Sequence, residues 1–165
     1  MAFLRCEIAS PIGTILLVSD GEAVRALDFH DHEGRMHRLL RRQYGACVLV
    51  PGRPVGAILV LLQAYFDGDL GAPDRIAVRT GGTAFQRAIW AELRRIPAGT
   101  TITYAGLAAR VGRPAACRAA GLANGANPVA IVVPCHRVIG ANGKLTGYGG
   151  GLARKAWLLR HEGRR

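Results

Sequence analysis

The chain has 165 residues, half of them hydrophobic, and a formal net charge of +11. That length supports one sizeable core or two small lobes. No apolar run approaches the roughly 18 residues of a membrane span, and four widely spaced cysteines without a CxxC pair argue against a disulfide framework or a tetrahedral zinc site. The first residues also lack the basic-then-apolar layout of a signal peptide, so a cytoplasmic protein is expected. His30 and His32, with no cysteine nearby, read as solvated rather than as metal ligands.

The N-terminal third reads as an antiparallel meander. Phe3–Ile8 and Thr14–Ser19 are strands separated by the turn Ser10-Pro11-Ile12-Gly13. Asp20-Gly21 is a hairpin signal, and Val24–Phe29 is the third strand. Arg35–Tyr44 follows as a helix with a basic exposed face, and Val55–Phe66 as a buried helix ended by Asp67-Gly68. Residues 71–82 read as a linker with one strand at Ile76–Val78, which puts a lobe boundary between residues 1–80 and 81–165.

The second half is mostly helical. Thr83 and Gln86 fit a capping box, and their helix runs to about Arg95 before Ile96-Pro97-Ala98-Gly99 stops it. Thr103 caps a short helix, Tyr104–Val111, which Gly112 ends. Pro114 opens the next helix, which reaches Asn124. Helix, glycine turn, helix is a helix-turn-helix pattern, which ordinary bundles also contain. The second of these helices is built of small residues with one long cation, Arg118. Burying that cation in a core without a carboxylate would be costly. Val129–Val133 reads as a buried strand, and Leu152–Glu162 as a closing helix with Trp157, Leu158 and Leu159 inward. The expected fold is α+β: a small antiparallel sheet with helices, then a mostly helical domain.

The charge is one-sided. Residues 1–80 hold nine arginines and nine acids, whereas residues 81–165 hold eleven arginines and two lysines against only Glu92 and Glu162. Such a basic half is the footprint of a polyanion binder. Biased base composition would explain arginine over lysine, but not the scarcity of acids after position 92, where Glu162 stands alone.

The chemistry concentrates in Pro134-Cys135-His136-Arg137-Val138, between the apolar run and the glycine-rich Gly147-Tyr148-Gly149-Gly150-Gly151. A cysteine attacks as its thiolate, and a nearby imidazole can produce that form. In an extended segment Cys135 and His136 would point to opposite sides, so a bridging water is the expected link. A bare Cys-His pair is more often a buried structural cysteine. The surrounding residues reverse that balance.

Taken together, Tyr104, Arg118, Asn127-Pro128, Pro134–Val138, Gly147–Gly151 and the closing Leu158-Leu159-x-x-Glu162 resemble the O6-alkylguanine-DNA alkyltransferases, the methylated-DNA–protein-cysteine methyltransferases. The resemblance is specific over about residues 83–162 and looser in the N-terminal third. It implies a ribonuclease-H-like N-terminal lobe without that fold's active site, and a winged helix-turn-helix-like C-terminal domain. It implies DNA repair by direct reversal. The alkyl group of O6-alkylguanine, with O4-alkylthymine as a second candidate, would pass stoichiometrically and irreversibly to Cys135 after base flipping. His136 would take the thiol proton through a water, Glu162 would orient the imidazole, and Asn127 would hold the turn before the cysteine. Tyr104 would meet the target phosphate, and Arg118 would fill the stack left by the extruded base. The carbonyls of Cys135 and Val138 and the backbone near Gly149 would read the guanine edge, with Tyr148 at its O6 side. Gln86, Ala105, Arg113 and Ala141 would contact the DNA backbone. The implied partner is double-stranded DNA containing O6-alkylguanine, bound by a monomer that could act cooperatively, with no cofactor, no metal and no membrane.

Three features depart from that pattern. Gly149 replaces a serine common in relatives, which leaves only a backbone N–H toward the guanine oxygen. Ala105 offers no side-chain hydrogen bond to phosphate, and the zinc ligands of some animal relatives have no counterpart. Other readings fit less well. A papain-like hydrolase would separate its histidine from its cysteine. An S-adenosylmethionine-dependent enzyme would carry a GxGxxG opening a helix. A non-catalytic binding module would lack Cys135.

Overall fold

A computed structural model describes residues 1–163. The chain divides into two compact units: residues 1–81 with Pro128–Val132, and residues 82–127 with Val133 onward. Among the described residues no helix is long and apolar enough to cross a membrane.

The first unit is built on β1 (Ala2–Ile8), β2 (Ile15–Ser19) and β3 (Val24–Phe29), paired antiparallel in sequence order. Asp20 closes the second hairpin by accepting from the Glu22 and Ala23 amides. Helix α1 (Glu33–Tyr44) leads into β4 (Val48–Pro51), which pairs parallel with β1 and gives the order β3-β2-β1-β4. Met36 and Leu40 of α1 pack on Phe3, Leu16, Val18 and Ala26. Burying each such side chain stabilises by roughly 1.5–3 kcal/mol. Helix α2 (Ile58–Phe66) begins later than expected, because Val55 and Gly56 form a turn in which the Val55 amide donates to Gly21. β4 was not expected, since a four-residue strand exposed along most of its length carries no alternation.

The β3 edge is covered by backbone from elsewhere in this unit. The Val24 amide donates to Ala77 and the Arg79 amide to the Val24 carbonyl, so the expected strand at Ile76–Val78 is reduced to a single bridge. Further along β3, the Leu27 amide donates to Pro128 and its carbonyl accepts from Ala130. Capping an edge in this way removes an open ladder. Pro128–Val132 thereby belongs with the first unit, whose long segment ends at Gly81.

The second unit contains α3 (Ala84–Leu93), β5 (Ile102–Thr103), α4 (Tyr104–Arg110), α5 (Cys117–Gly125), β6 (Val138–Ile139) and α6 (Leu152–His161). β5 and β6 pair in parallel. The capping box on α3 is present in both directions: Gln86 N donates to Thr83 Oγ1 and Thr83 N to Gln86 Oε1. Such an N-cap stabilises by about 1 kcal/mol. Thr103 caps α4 through Gly106 N, and Gly112 turns the chain at φ 76°. The next helix starts at Cys117 rather than at Pro114, because residues 113–116 first form a turn closed by Ala116 N on Arg113 O.

The run Val129–Val133 is not a strand. Ile131 has φ 71°, the sole non-glycine residue with positive φ among the described residues, and Val132 N donates to Ala130 O across it. This is a γ-turn, a strained geometry for a β-branched residue. A second γ-turn follows at Pro134, with φ −83° and ψ 65°, where Cys135 N donates to Val133 O. The apolar run is buried, as a strand would be, but beyond its single bridge to Leu27 the amides of Val132 and Cys135 close locally.

Candidate active site

Two tight turns in quick succession deliver Cys135 into a short 3-10 helix, Cys135–Arg137, instead of leaving it on a strand. The side-chain alternation expected of an extended segment therefore does not apply to Cys135 and His136. Asn127 secures the turn: its Nδ2 donates to Val133 O at 2.7 Å, the same carbonyl that accepts the Cys135 amide at 2.8 Å.

Cys135 is 6% exposed and lines a cavity of about 120 Å³ with Tyr104, Gly121, Asn124, Tyr148 and Gly149. Its walls come from α4, α5 and the glycine-rich loop. Tyr104 Oη donates to Thr146 O at 2.9 Å, which ties the start of α4 to that loop. Lys155 of α6, fully buried, donates through Nζ to the carbonyls of Val138, Thr146 and Gly147 at 2.7, 2.9 and 3.2 Å. One ammonium thus clamps the loop to β6.

Behind Cys135 lies a buried polar chain. His136 Nε2 is 2.8 Å from Glu162 Oε2. Arg137 grips the same carboxylate twice, Nε to Oε1 at 2.8 Å and Nη2 to Oε2 at 3.0 Å, and its Nη1 donates to Ile96 O at 2.6 Å. All three side chains are within a few per cent of full burial. Gly99 allows this packing: at φ 84°, a Cβ on it would lie 3.0 Å from the Glu162 carbonyl.

Burial opposes the charge on Glu162, but hydrogen bonds from His136 and Arg137 and the positive charge of Arg137 hold its carboxyl well below the usual range. It is therefore an anion and an acceptor. Burial pushes the His136 imidazolium down; the Glu162 contact resists this, while Arg137 and Lys155 reinforce it. A neutral imidazole beside a carboxylate carries its proton on Nε2 and leaves the Nδ1 lone pair as a base. Nδ1 is buried and has no hydrogen-bond partner among the described residues.

Residues 84–164 match the family described as 6-O-methylguanine DNA methyltransferase, DNA binding domain. The methylated-DNA–protein-cysteine methyltransferase of Salmonella typhimurium is 48% identical over 166 residues, covering 99% of this chain and 97% of its own. The chain belongs to the methylated-DNA–protein-cysteine methyltransferase family. The protein of that name from Mycobacterium tuberculosis H37Rv is 45% identical, covering 94% of this chain and 89% of its own. The crystal structure of Mycobacterium tuberculosis OGT in complex with DNA matches with a TM-score of 0.78 at 40% identity, covering 98% of this chain and 92% of that one.

In this methyltransferase the residues singled out from sequence fall into two groups. Cys135, His136, Glu162 and Asn127 form one connected assembly, and Tyr104, Tyr148 and Gly149 share the cavity with Cys135. Val138 is buried but does not line the cavity, and its carbonyl accepts from Lys155. Arg118, Ala105, Arg113 and Ala141 are exposed, and Gln86 is half-buried with its side chain engaged in the α3 cap. Exposure of Arg118 removes the reading in which it is a core cation. Arg113 lies over the Phe85 ring, 5.7 Å from its centroid.

Three residues of the assembly were missed. Arg137 was read only as part of the Cys-His motif, Lys155 only as one basic charge of a basic half, and Asn124 as a helix end. Lys155 left a trace in the sequence, a lysine three residues before Leu158 on a helix whose inner face is apolar. Asn124 and Arg137 left none, because their partners are set by the fold.

Proposed function

We propose that this protein repairs DNA by direct reversal, transferring the alkyl group of O6-alkylguanine to Cys135 Sγ. The observation that carries this reading is the cavity wall formed by Cys135 and backed by the His136–Glu162–Arg137 chain. The thiol proton passes to His136 Nδ1 through a water. The sulfur attacks the alkyl carbon, an S–C bond forms as the C–O6 bond breaks, and the electron pair goes to the guanine oxygen. Tyr148 or the Gly149 amide stabilises that oxygen, and the proton finally resides on guanine N1. The thioether has no ready leaving route, so each molecule reacts once.

The target atom lies inside the duplex, so the base is flipped out at a cost of roughly a few kcal/mol. The small residues of α5 let it approach DNA closely, and exposed Arg118 fills the gap in the stack. Tyr104 meets the target phosphate, and Gln86, Ala105, Arg113 and Ala141 meet the flanking backbone. The protein binds as a monomer, and O4-alkylthymine is the second substrate. Relatives named for the same reaction at 45–48% identity, and a DNA complex of one at 40%, favour this reading over a hydrolase or a binding module. The sheet order β3-β2-β1-β4 supports a ribonuclease-H-like first lobe, and α4, the Gly112 turn and α5 support a winged helix-turn-helix-like second.

The test is mass spectrometry after incubation with a duplex carrying one O6-methylguanine. The Cys135 peptide should gain one methyl group, with one equivalent consumed per protein. The Cys135→Ser protein should bind the same duplex without transfer. No mass gain on Cys135 would overturn the assignment.

A further inference from the structure

Helix α1, in the first unit, carries a charge pattern that the transfer reaction does not use. Of the nine arginines in residues 1–80, five reach a carboxylate: Arg5, Arg25, Arg35, Arg75 and Arg79. Arg38, Arg41, Arg42 and Arg53 reach none among the described residues. The first three of these sit on α1 at i, i+3 and i+4, which places them on one face. All three are exposed, on the side of the helix away from the buried Met36 and Leu40. The one acid of α1, Glu33, lies in its first turn and is already engaged by Arg5 at 3.0 Å.

Like charges at this spacing destabilise a helix. The helix dipole favours cations in the last turn, which accounts for Arg41 and Arg42. It does nothing for Arg38, a turn earlier. The fold supplies no partner for the triplet, whereas an external polyanion would. The same face borders a recess of about 150 Å³ lined by His37, Leu40, Arg41, Gly45, Ala46 and Cys47, with room for one phosphate group. From His37 to Arg42 the face covers about 8 Å of helix axis, the length of about two to three phosphates along one DNA strand.

We propose that Arg38, Arg41 and Arg42 form a second DNA contact, in the first unit, which grips the phosphate backbone of duplex DNA without regard to the lesion. This rests on the reading of the protein as a binder of duplex DNA. Guanidinium groups match phosphate oxygens two at a time. Undamaged DNA offers the same phosphates as damaged DNA, so the contact strengthens binding everywhere along a duplex and carries no sequence information. It plays no part in the chemical step at Cys135.

The experiment measures affinity for a long undamaged duplex across a salt titration. The triple variant Arg38→Gln, Arg41→Gln, Arg42→Gln keeps good helix formers at exposed positions, so the fold should persist. Its log–log salt slope should be smaller than that of the natural protein by about two to three, and the matching triple Arg→Lys variant should restore it. A control triple, Arg5→Gln, Arg75→Gln, Arg79→Gln, removes the same charge from paired arginines of the same unit and should change the slope much less. A site-specific readout comes from alkylating the thiols with iodoacetamide and following each cysteine peptide by mass spectrometry. Bound duplex should slow alkylation of Cys47 several-fold in the natural protein and not in the α1 variant. An unchanged slope in the α1 variant would overturn the proposal, and so would an equal fall in the control triple. Protection of Cys117 on α5 without protection of Cys47 would overturn it while leaving DNA binding by the second unit standing. No affinity for any duplex would remove both readings.

Discussion

Arg137 and Glu162 form a two-point ion pair that is almost fully buried, with N–O separations of 2.8 and 3.0 Å. The pair is close to electrically neutral, so the imidazole of His136 that shares the carboxylate gains little from carrying a charge of its own. A planar guanidinium suits this task because its fork matches both carboxylate oxygens and still leaves Nη1 for Ile96 O. The carboxylate is held in one orientation, and the Nε2 bond then turns the imidazole so that Nδ1 is the free base.

Breaking this pair should cost stability and rate by different routes. Glu162→Gln leaves Arg137 buried without a counter-charge and should destabilise by about 3–5 kcal/mol. Adding Arg137→Met should recover much of that loss in a denaturant melt. Transfer should remain about 10²–10⁴-fold slow in both proteins, because the imidazole is no longer oriented by an anion. If E162Q transfers at the natural rate while folded, Glu162 has no part in the relay.

The pH dependence follows from the direction in which burial pushes His136. Its folded-state value lies below the ordinary 6.5, so the neutral base persists as pH drops through 6.5. The acid limb of the transfer rate should therefore fall below pH 6.5. In the unfolded chain His136 takes up its proton near 6.5, while in the folded chain it does not. Stability from this group is thus complete above 6.5 and is lost as pH falls toward its folded value, by up to about 1.4 kcal/mol per unit. Glu162, also held low, acts in the same sense at more acid pH. Urea melts between pH 7.5 and 5 should show this slope, and His136→Gln should reduce it.

Duplex binding should fall steeply with salt, because the excess charge of residues 81–165 is arginine-rich and phosphates release counterions when paired. A titration of affinity against salt gives the number of contacts. Arg113→Ala should lower the slope by about one. A flat titration would contradict a phosphate-dominated interface.

Arg118 should matter only when a base has to leave a stack. It is an exposed long cation on a helix of small residues, suited to enter the gap and stack there. Arg118→Ala should slow repair of duplex O6-methylguanine strongly, and repair of the free base or a short single strand much less. Arg160→Ala should show no such contrast. Equal losses on both substrates would reduce Arg118 to one phosphate contact among several.

What the sequence alone determined were the features that close within a few residues. The Thr83–Gln86 box, the Asp20-Gly21 hairpin, the Thr103 cap and the Gly112 turn are i to i+3 arrangements, and each formed as read. The proposed nucleophile was legible for a related reason: Cys135, His136 and the glycine-rich loop are contiguous motifs whose residue types limit the chemistry. Tertiary structure decided the rest. Val129–Val133 has the composition of a strand, yet Ile131 turns into positive φ and Pro134 has no N–H for a ladder, so the run closes into γ-turns instead. β4 exists because β1 has a free edge for it, not because its own residues alternate. Arg137, Lys155 and Asn124 became parts of the site through partners on other elements of the second unit. Burial of a charge or an amide is tolerable only with such partners, and which distant groups supply them is a property of the packed chain.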